Sequence, residues 1–148
     1  MAEIKISALT AKGASLEKDD LLVISDYNGS TYDSKSVTGA NILNPRVQSV
    51  TSSATVTANA DTNDLVVITA QAAGLTLANP TGTPVQGQPL MIRIKDNGTS
   101  RSITYGSQFR ALGVTLPTAT TISKTTYLGC VYNSTDTKWD VVGVNTEA

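Results

Sequence analysis

Two carboxylates three positions apart, Asp61 and Asp64 in ANADTNDL, are the side chains whose type and spacing come nearest to a reactive pair. Hard cations take oxygen ligands, so the pair could contribute to a calcium site or act as an acid pair. The simpler reading is a turn before a strand, with the carboxylates accepting bonds from nearby backbone amides. Asp19 and Asp20 read the same way ahead of the apolar run that begins at Leu21. A glycosidase needs two carboxylates about 5–10 Å apart in a sugar-binding cleft. One tryptophan, one phenylalanine and five tyrosines make a poor lining for such a cleft.

Most other routes to catalysis are closed. The chain has no histidine, which removes histidine general bases, Ser-His-Asp and Cys-His nucleophile systems, and histidine metal sites. Its one cysteine, Cys130 in the run YLGCVY, reads as a buried small hydrophobe rather than a reactive thiol. A single cysteine makes neither an intrachain disulfide nor a thiolate zinc cluster. Neither GxGxxG nor the P-loop pattern occurs. No catalytic residue, cofactor or metal is assigned, and an enzyme is not expected.

Charge and targeting signals are equally plain. A net charge of −1 gives no pull toward nucleic acid or an acidic membrane. Arg93, Lys95, Arg101 and Arg110 bring four of the eleven basic residues into one stretch. They read first as a solvated strand face and second as a weak patch for an anionic ligand such as lipopolysaccharide. Three N-x-S/T sequons, at Asn28, Asn97 and Asn133, each fall where a hairpin tip is expected, and turn chemistry explains them without glycosylation. The opening MAEIKISALT lacks the apolar core of a secretory signal. No run approaches the ~20 apolar residues of a membrane span, so a soluble chain without membrane insertion is expected.

The elements that must carry these side chains are strands. Thr and Ser together approach a quarter of the 148 residues, and Val and Ile make up much of the apolar set, a composition that favours sheet over helix. Leu90, Ile92 and Ile94 alternate with Met91, Arg93 and Lys95, and Asn97-Gly98 suits a tight turn, so Leu90 to Tyr105 reads as a hairpin. A two-residue loop would set Ile92 opposite Ile103, and a four-residue loop Ile94 opposite Ile103. YLGCVYNSTDTKWDVVGV reads as another hairpin, in which a loop of Ser134–Thr137 sets Tyr132 beside Trp139 and Cys130 beside Val141. LVVITA (65–70) is apolar on both faces, as in a strand covered on both sides. Threonine-rich residues from Pro117 through Ile122 read as a further strand or edge. Seven or eight short strands with regular turn signals indicate an all-β chain whose main domain, 61–148, is an antiparallel β-sandwich or barrel.

Two segments precede that domain. Residues 1–43 form a first unit: Leu21 to Ile24 is an apolar strand, Asn28-Gly29 a hairpin turn flanked by Tyr27 and Tyr32, and Val37 lies on the return strand. Forty residues with so few large side chains make a weak core. Asn44-Pro45 marks a boundary, because proline disfavours helix in the residue before it. The segment 44–60, RVQSVTSSATVTANA at its heart, reads either as a flexible linker or as a strand with a thin face of small residues. Such a face would let copies of the chain approach around a symmetry axis. Assembly contacts are expected at Ile4, Ile6, Leu9, Leu21, Val23, Tyr27 and Tyr32 in the first unit, and at Val50, Ala54, Val56 and Ala58 in the thin segment.

Several motifs carry a resemblance. I-S-x-L-T at Ile6–Thr10, S-L-x-x-x-D-L at Ser15–Leu21 and K-S-V-T at Lys35–Thr38 resemble the short N-terminal module of many tailed-bacteriophage virion proteins. Leu77–Leu90 (L-x-N-P-x-G-x-P-x-x-G-Q-x-L), I-K-D-N-G at Ile94–Gly98 and Y-N-x-x-x-x-K-W-D-V-V at Tyr132–Val142 resemble the β domain of phage fibre and virion structural proteins. The resemblance covers most of the chain outside the thin segment, and its motifs are turns and core strands. It implies a non-enzymatic homotrimer on the virion, with the N-terminal unit as anchor and the β domain projecting. Its partners would be other virion proteins, capsid or tail. The expected role is a small head fibre or capsid decoration protein, since the chain is too short for a long shaft. The alternative is a tail-fibre or adsorption protein whose outward domain binds a host surface glycan.

Overall fold

The computed structural model describes residues 19–39, 42 and 44–148. Chain contacts divide it into two compact units, 1–44 and 45–148. Strand accounts for 52% of the described residues, in keeping with the all-β expectation.

In the first unit, β1 (Leu21–Tyr27) pairs antiparallel with β2 (Tyr32–Thr38) in a two-stranded sheet. The tip follows from its sequence. Gly29 takes a φ of +97° that a side chain would oppose. The Asn28 side-chain oxygen accepts from the amides of Ser30 (3.1 Å) and Thr31 (3.0 Å). The tyrosines predicted to flank the turn face each other, with ring centroids 5.0 Å apart. Ile4, Ile6 and Leu9 lie outside the described residues.

The second unit contains β3 (Val47–Val50), β4 (Thr55–Val56), β5 (Leu65–Gln71), β6 (Leu75–Leu77), β7 (Pro89–Asp96), β8 (Ile103–Tyr105), β9 (Phe109–Ala111), β10 (Thr125–Asn133) and β11 (Lys138–Thr146). They form a six-stranded sheet in the order β3-β5-β7-β10-β11-β9 and a three-stranded sheet in the order β4-β6-β8. From β3 to β8 the chain changes sheet at every step. Each return to a sheet therefore runs the same way as the previous pass, and β3-β5-β7 and β4-β6-β8 are parallel. Only β7-β10 and β10-β11 pair antiparallel in this unit, and β9 lies parallel to β11. A purely antiparallel sandwich or barrel is thus corrected to a mixed two-sheet unit.

One core serves both sheets. Val66, Ile68, Leu90, Ile92, Ile94, Leu128 and Val141 from the larger sheet cluster with Val56, Leu75, Leu77 and Ile103 from the smaller. Each such side chain contributes about 1.5–3 kcal/mol on full burial. The closing hairpin forms as expected: Tyr132 opposes Trp139 and Cys130 opposes Val141. Its two rings lie 5.1 Å apart, a contact that adds about 0.5–1.5 kcal/mol beyond area. The register shifts between Gly129 and Cys130, leaving Val142 as the extra residue of a bulge.

Three further expectations are revised. Leu90 to Tyr105 is not a hairpin: β7 pairs with β5 and β10, whereas β8 pairs with β6 in the other sheet. The Asn97-Gly98 turn exists, with Gly98 at φ +104°, but it is a corner between sheets. The isoleucines do share one interior, as the alternation required. The 44–60 segment is neither a linker nor a free strand, since it supplies β3 and β4, and Val56, Ala58 and Ala60 are buried in this unit's own core. Small residues there let the first turn of chain close against the sheet, so Val56 and Ala58 are not available to line a symmetry axis. Val50 packs against the same core, and Ala54 is exposed. In LVVITA, Val66 and Ile68 are buried, while Leu65 and Val67 on the opposite face are only half-buried. The threonine-rich stretch is an edge rather than a strand: it lies along the entrance to β8 through the bridge of Ser102 with Ala119, where the Ile103 amide donates to the Thr118 carbonyl (2.7 Å) and the Thr120 amide to the Arg101 carbonyl (2.8 Å).

Buried polar groups hold the corners. Gln71 is fully buried, donating to the carbonyls of Ser53 (2.8 Å) and Ala73 (2.7 Å), which ties the end of β5 to the β3–β4 connection. Asp96, 3% exposed, accepts from the amides of Gly98 (2.7 Å) and Ser123 (2.9 Å) and from the Thr120 hydroxyl (2.5 Å). Burial opposes its ionisation, but the Thr120 hydroxyl, these amides and the nearby Arg101 charge outweigh that and hold its carboxyl below the usual range. Arg110 donates to Asp140 through Nε (2.6 Å) and Nη2 (3.0 Å), bracing β9 against β11 and lowering the Asp140 carboxyl as well.

Because these carboxyls have depressed values in the folded chain, their stabilisation is complete above the unfolded carboxylate range near pH 4 and is lost as pH falls through the folded values. Melting temperature should be nearly flat from pH 7 to 5 and drop steeply below pH 4. Asp96→Ala should cost about 3 kcal/mol in denaturant unfolding at pH 7, leaving buried donors unmet, and should shallow the acid limb. A variant as stable as wild type would contradict this account of the corner.

Candidate functional site

The side chains singled out for chemistry are occupied with structure. Asp64 receives Arg46 through Nε (2.9 Å), Nη2 (2.6 Å) and the backbone amide (2.9 Å). The Arg46 side chain and amide hold its carboxyl at about 2. Asp61 accepts from the Thr83 amide (2.8 Å) and hydroxyl (3.0 Å), and its carbonyl accepts from Arg46. The pair is therefore a brace between the β3 entrance and two turns, and its partners are the distant Arg46 and Thr83 rather than the neighbouring amides that the turn reading expected. Among the described residues no group of three or more His, Cys, Asp or Glu side chains is arranged to hold a metal ion.

Cys130 is 3% exposed within the core, and burial pushes its thiol up to about 12. The four basic residues do not gather. Arg93 and Lys95 share the outer face of β7, Arg101 lies on the corner, and Arg110 sits on β9 facing Asp136 and Asp140. Two sequons do fall at hairpin tips, Asn28 and Asn133. The Asn133 side-chain oxygen accepts from the amides of Thr135 (3.0 Å) and Asp136 (3.2 Å). Asn97 belongs to the corner.

What the structure does bring together is an apolar face on the first hairpin. Alternation along β1 and the register with β2 put Leu21, Val23, Tyr27 and Tyr32 on one side, edged by Ser25, Ser34, Ser36 and Thr38. The four large side chains are 68%, 61%, 58% and 72% exposed. All four are residues expected to make assembly contacts. Leu22, Ile24 and Val37 lie on the other side with the Lys35–Asp26 ion pair, and Leu22 and Ile24 are also exposed. A two-stranded sheet has marginal stability by itself, and an exposed apolar patch of this kind marks an interaction surface.

A second feature, on the outer face of the six-stranded sheet, went unread in the sequence beyond Arg93 and Lys95. Tyr127 on β10 lies between Arg93 on β7 and Asn145 on β11. These residues are more than fifty positions apart at the extremes, and only the strand order makes them neighbours. The outward phase of Tyr127 between buried Thr126 and Leu128 was the available signal.

No family model matches the sequence, and no curated protein or solved structure matches it either. Among the described residues no helix is long and apolar enough to cross a membrane.

The burial of Cys130 sets a direct expectation. The native chain should not react with a maleimide at pH 8 over hours, and stoichiometric labelling should appear only in denaturant. Rapid labelling of native protein would mean that the thiol is accessible and ionised.

Proposed function

We propose that the chain is a non-enzymatic structural part of a tailed-phage particle, a head fibre or capsid decoration protein that works as a homotrimer. Its N-terminal unit attaches to other virion proteins, and residues 45–148 form the outward domain on the assembled virion. The observation that carries this reading is the exposed face of Leu21, Val23, Tyr27 and Tyr32. The motifs at Ile6–Thr10, Leu77–Leu90 and Tyr132–Val142 supply the phage setting by resemblance.

Magnitudes favour several copies over one. Each large apolar side chain contributes about 1.5–3 kcal/mol when fully buried, and association costs about 4–15 kcal/mol in lost freedom. Four such side chains therefore leave a single hairpin near break-even. Joining three hairpins in one particle makes later contacts intramolecular and raises avidity by about 10²–10⁴. The outward domain has its own buried core and does not need the hairpin for stability.

The reading predicts a native mass of three copies by sedimentation of the full chain. Replacing Leu21, Val23, Tyr27 and Tyr32 with serine should cut copies per particle by about tenfold or more, while the melting transition of residues 45–148 stays put. Antibody against the chain should decorate capsid faces. A monomeric wild type, undiminished incorporation of the variant, or label confined to the tail would each overturn the head-fibre reading.

A further inference from the structure

A groove of about 560 Å³ lies on the outer face of the six-stranded sheet, where β7, β10 and β11 run side by side. Its floor is a cross-strand row: Arg93 opposite Tyr127, and Tyr127 opposite Asn145. In the next row Lys95 donates to the Ser123 carbonyl (2.7 Å) and to Glu147 (3.2 Å), and Glu147 also accepts from the Thr125 amide (2.9 Å). Lys95 and Glu147 thus answer each other's charge. Arg93 is half-buried, and its guanidinium has no ion pair or hydrogen bond among the described residues. The Tyr127 hydroxyl and the Asn145 side-chain amide also lack partners there, and Tyr127 is 42% exposed.

We propose that this row binds an acidic saccharide, with Arg93 holding its carboxylate. A guanidinium presents a planar fork that matches a carboxylate at two points. Here that fork is held on a rigid sheet with the one uncompensated charge of the groove. Tyr127 offers an apolar body with a polar tip, suited to the C–H face of a sugar ring and a neighbouring hydroxyl. Asn145 supplies both a donor and an acceptor for further hydroxyls. A bare inorganic anion would use Arg93 and leave the other two idle. A nucleic acid strand needs several phosphate-neutralising cations in line, and this groove has a net charge of one. The proposal does not rest on the assembly reading, since every residue in it belongs to one copy of residues 45–148.

The test is a titration of the isotopically labelled full chain, followed by amide NMR, with three probes: a glucuronate-containing tetrasaccharide, its carboxyl-reduced neutral counterpart, and inorganic phosphate. The acidic tetrasaccharide should shift the amides of Arg93, Tyr127 and Asn145. Carboxyl reduction of the sugar or Arg93→Gln should weaken binding by about tenfold or more, the scale of one charged hydrogen-bonded contact. Tyr127→Ala, which keeps Arg93, should weaken it too, and Lys138→Gln outside the groove should not. Unchanged spectra elsewhere in each variant report that the fold is intact. Absence of shifts at these three amides, equal affinity for the neutral sugar, or phosphate binding as tightly as the saccharide would overturn the proposal.

Discussion

A strand that crosses from one sheet to the other and comes back arrives pointing the way it left. This constraint organises residues 45–148. It makes β3, β5 and β7 parallel, and β4, β6 and β8 likewise. It also means that every second residue of each pass enters one shared interior, from Val66 and Ile68 through Ile92 and Ile94 to Ile103. The crossings cannot be apolar throughout, because backbone groups freed from the ladders still need partners. Gln71 and Asp96 meet that need from within the core edge, each satisfied by several bonds. The antiparallel pair β10-β11 then closes the open side of β7 with the largest buried side chain, Trp139.

The first hairpin obeys a different balance. Its ladder is regular over seven residue pairs, and its tip is fixed by Asn28 and Gly29. It has no second layer of described residues covering Leu21, Val23, Tyr27 and Tyr32. Local turn chemistry and ladder bonds define its shape without accounting for its apolar surface. The contrast between a unit that spends its apolar residues internally and one that displays them is the physical basis of the attachment role proposed for residues 1–44. The outer-face row at Arg93, Tyr127 and Asn145 is a further surface, polar where the hairpin is apolar, and suited to a small ligand rather than to a subunit.

Much of this was legible in the sequence where the information is local. The period-two alternation of Leu90, Ile92 and Ile94 gave the buried face of β7, and the spacing of Tyr132 and Trp139 gave the register of the closing hairpin. Both tyrosines beside Asn28-Gly29 flank the turn as expected, and four of the residues expected at assembly contacts share one exposed face. What failed was direction and partner. Alternation reads the same in parallel and antiparallel strands, and Asn-Gly permits a tight turn without dictating whether the chain folds back or crosses over. The corner at Asp96 depends on Thr120 and Ser123, more than twenty residues away. Val56 and Ala58 misled for a related reason. Small residues allow close approach to any surface, and here that surface is the chain's own core.

Hydrogen exchange of the backbone amides tests the central claim most directly, that the first hairpin relies on contact with another molecule. Measured on the full chain at rising protein concentration, amides in Leu21–Tyr27 and Tyr32–Thr38 should gain protection as copies associate. Amides in β7 and β10 should stay slow at every concentration. Hairpin amides as protected as those of β7 in a dilute monomer would contradict the account, because the apolar face would then be stable without any partner.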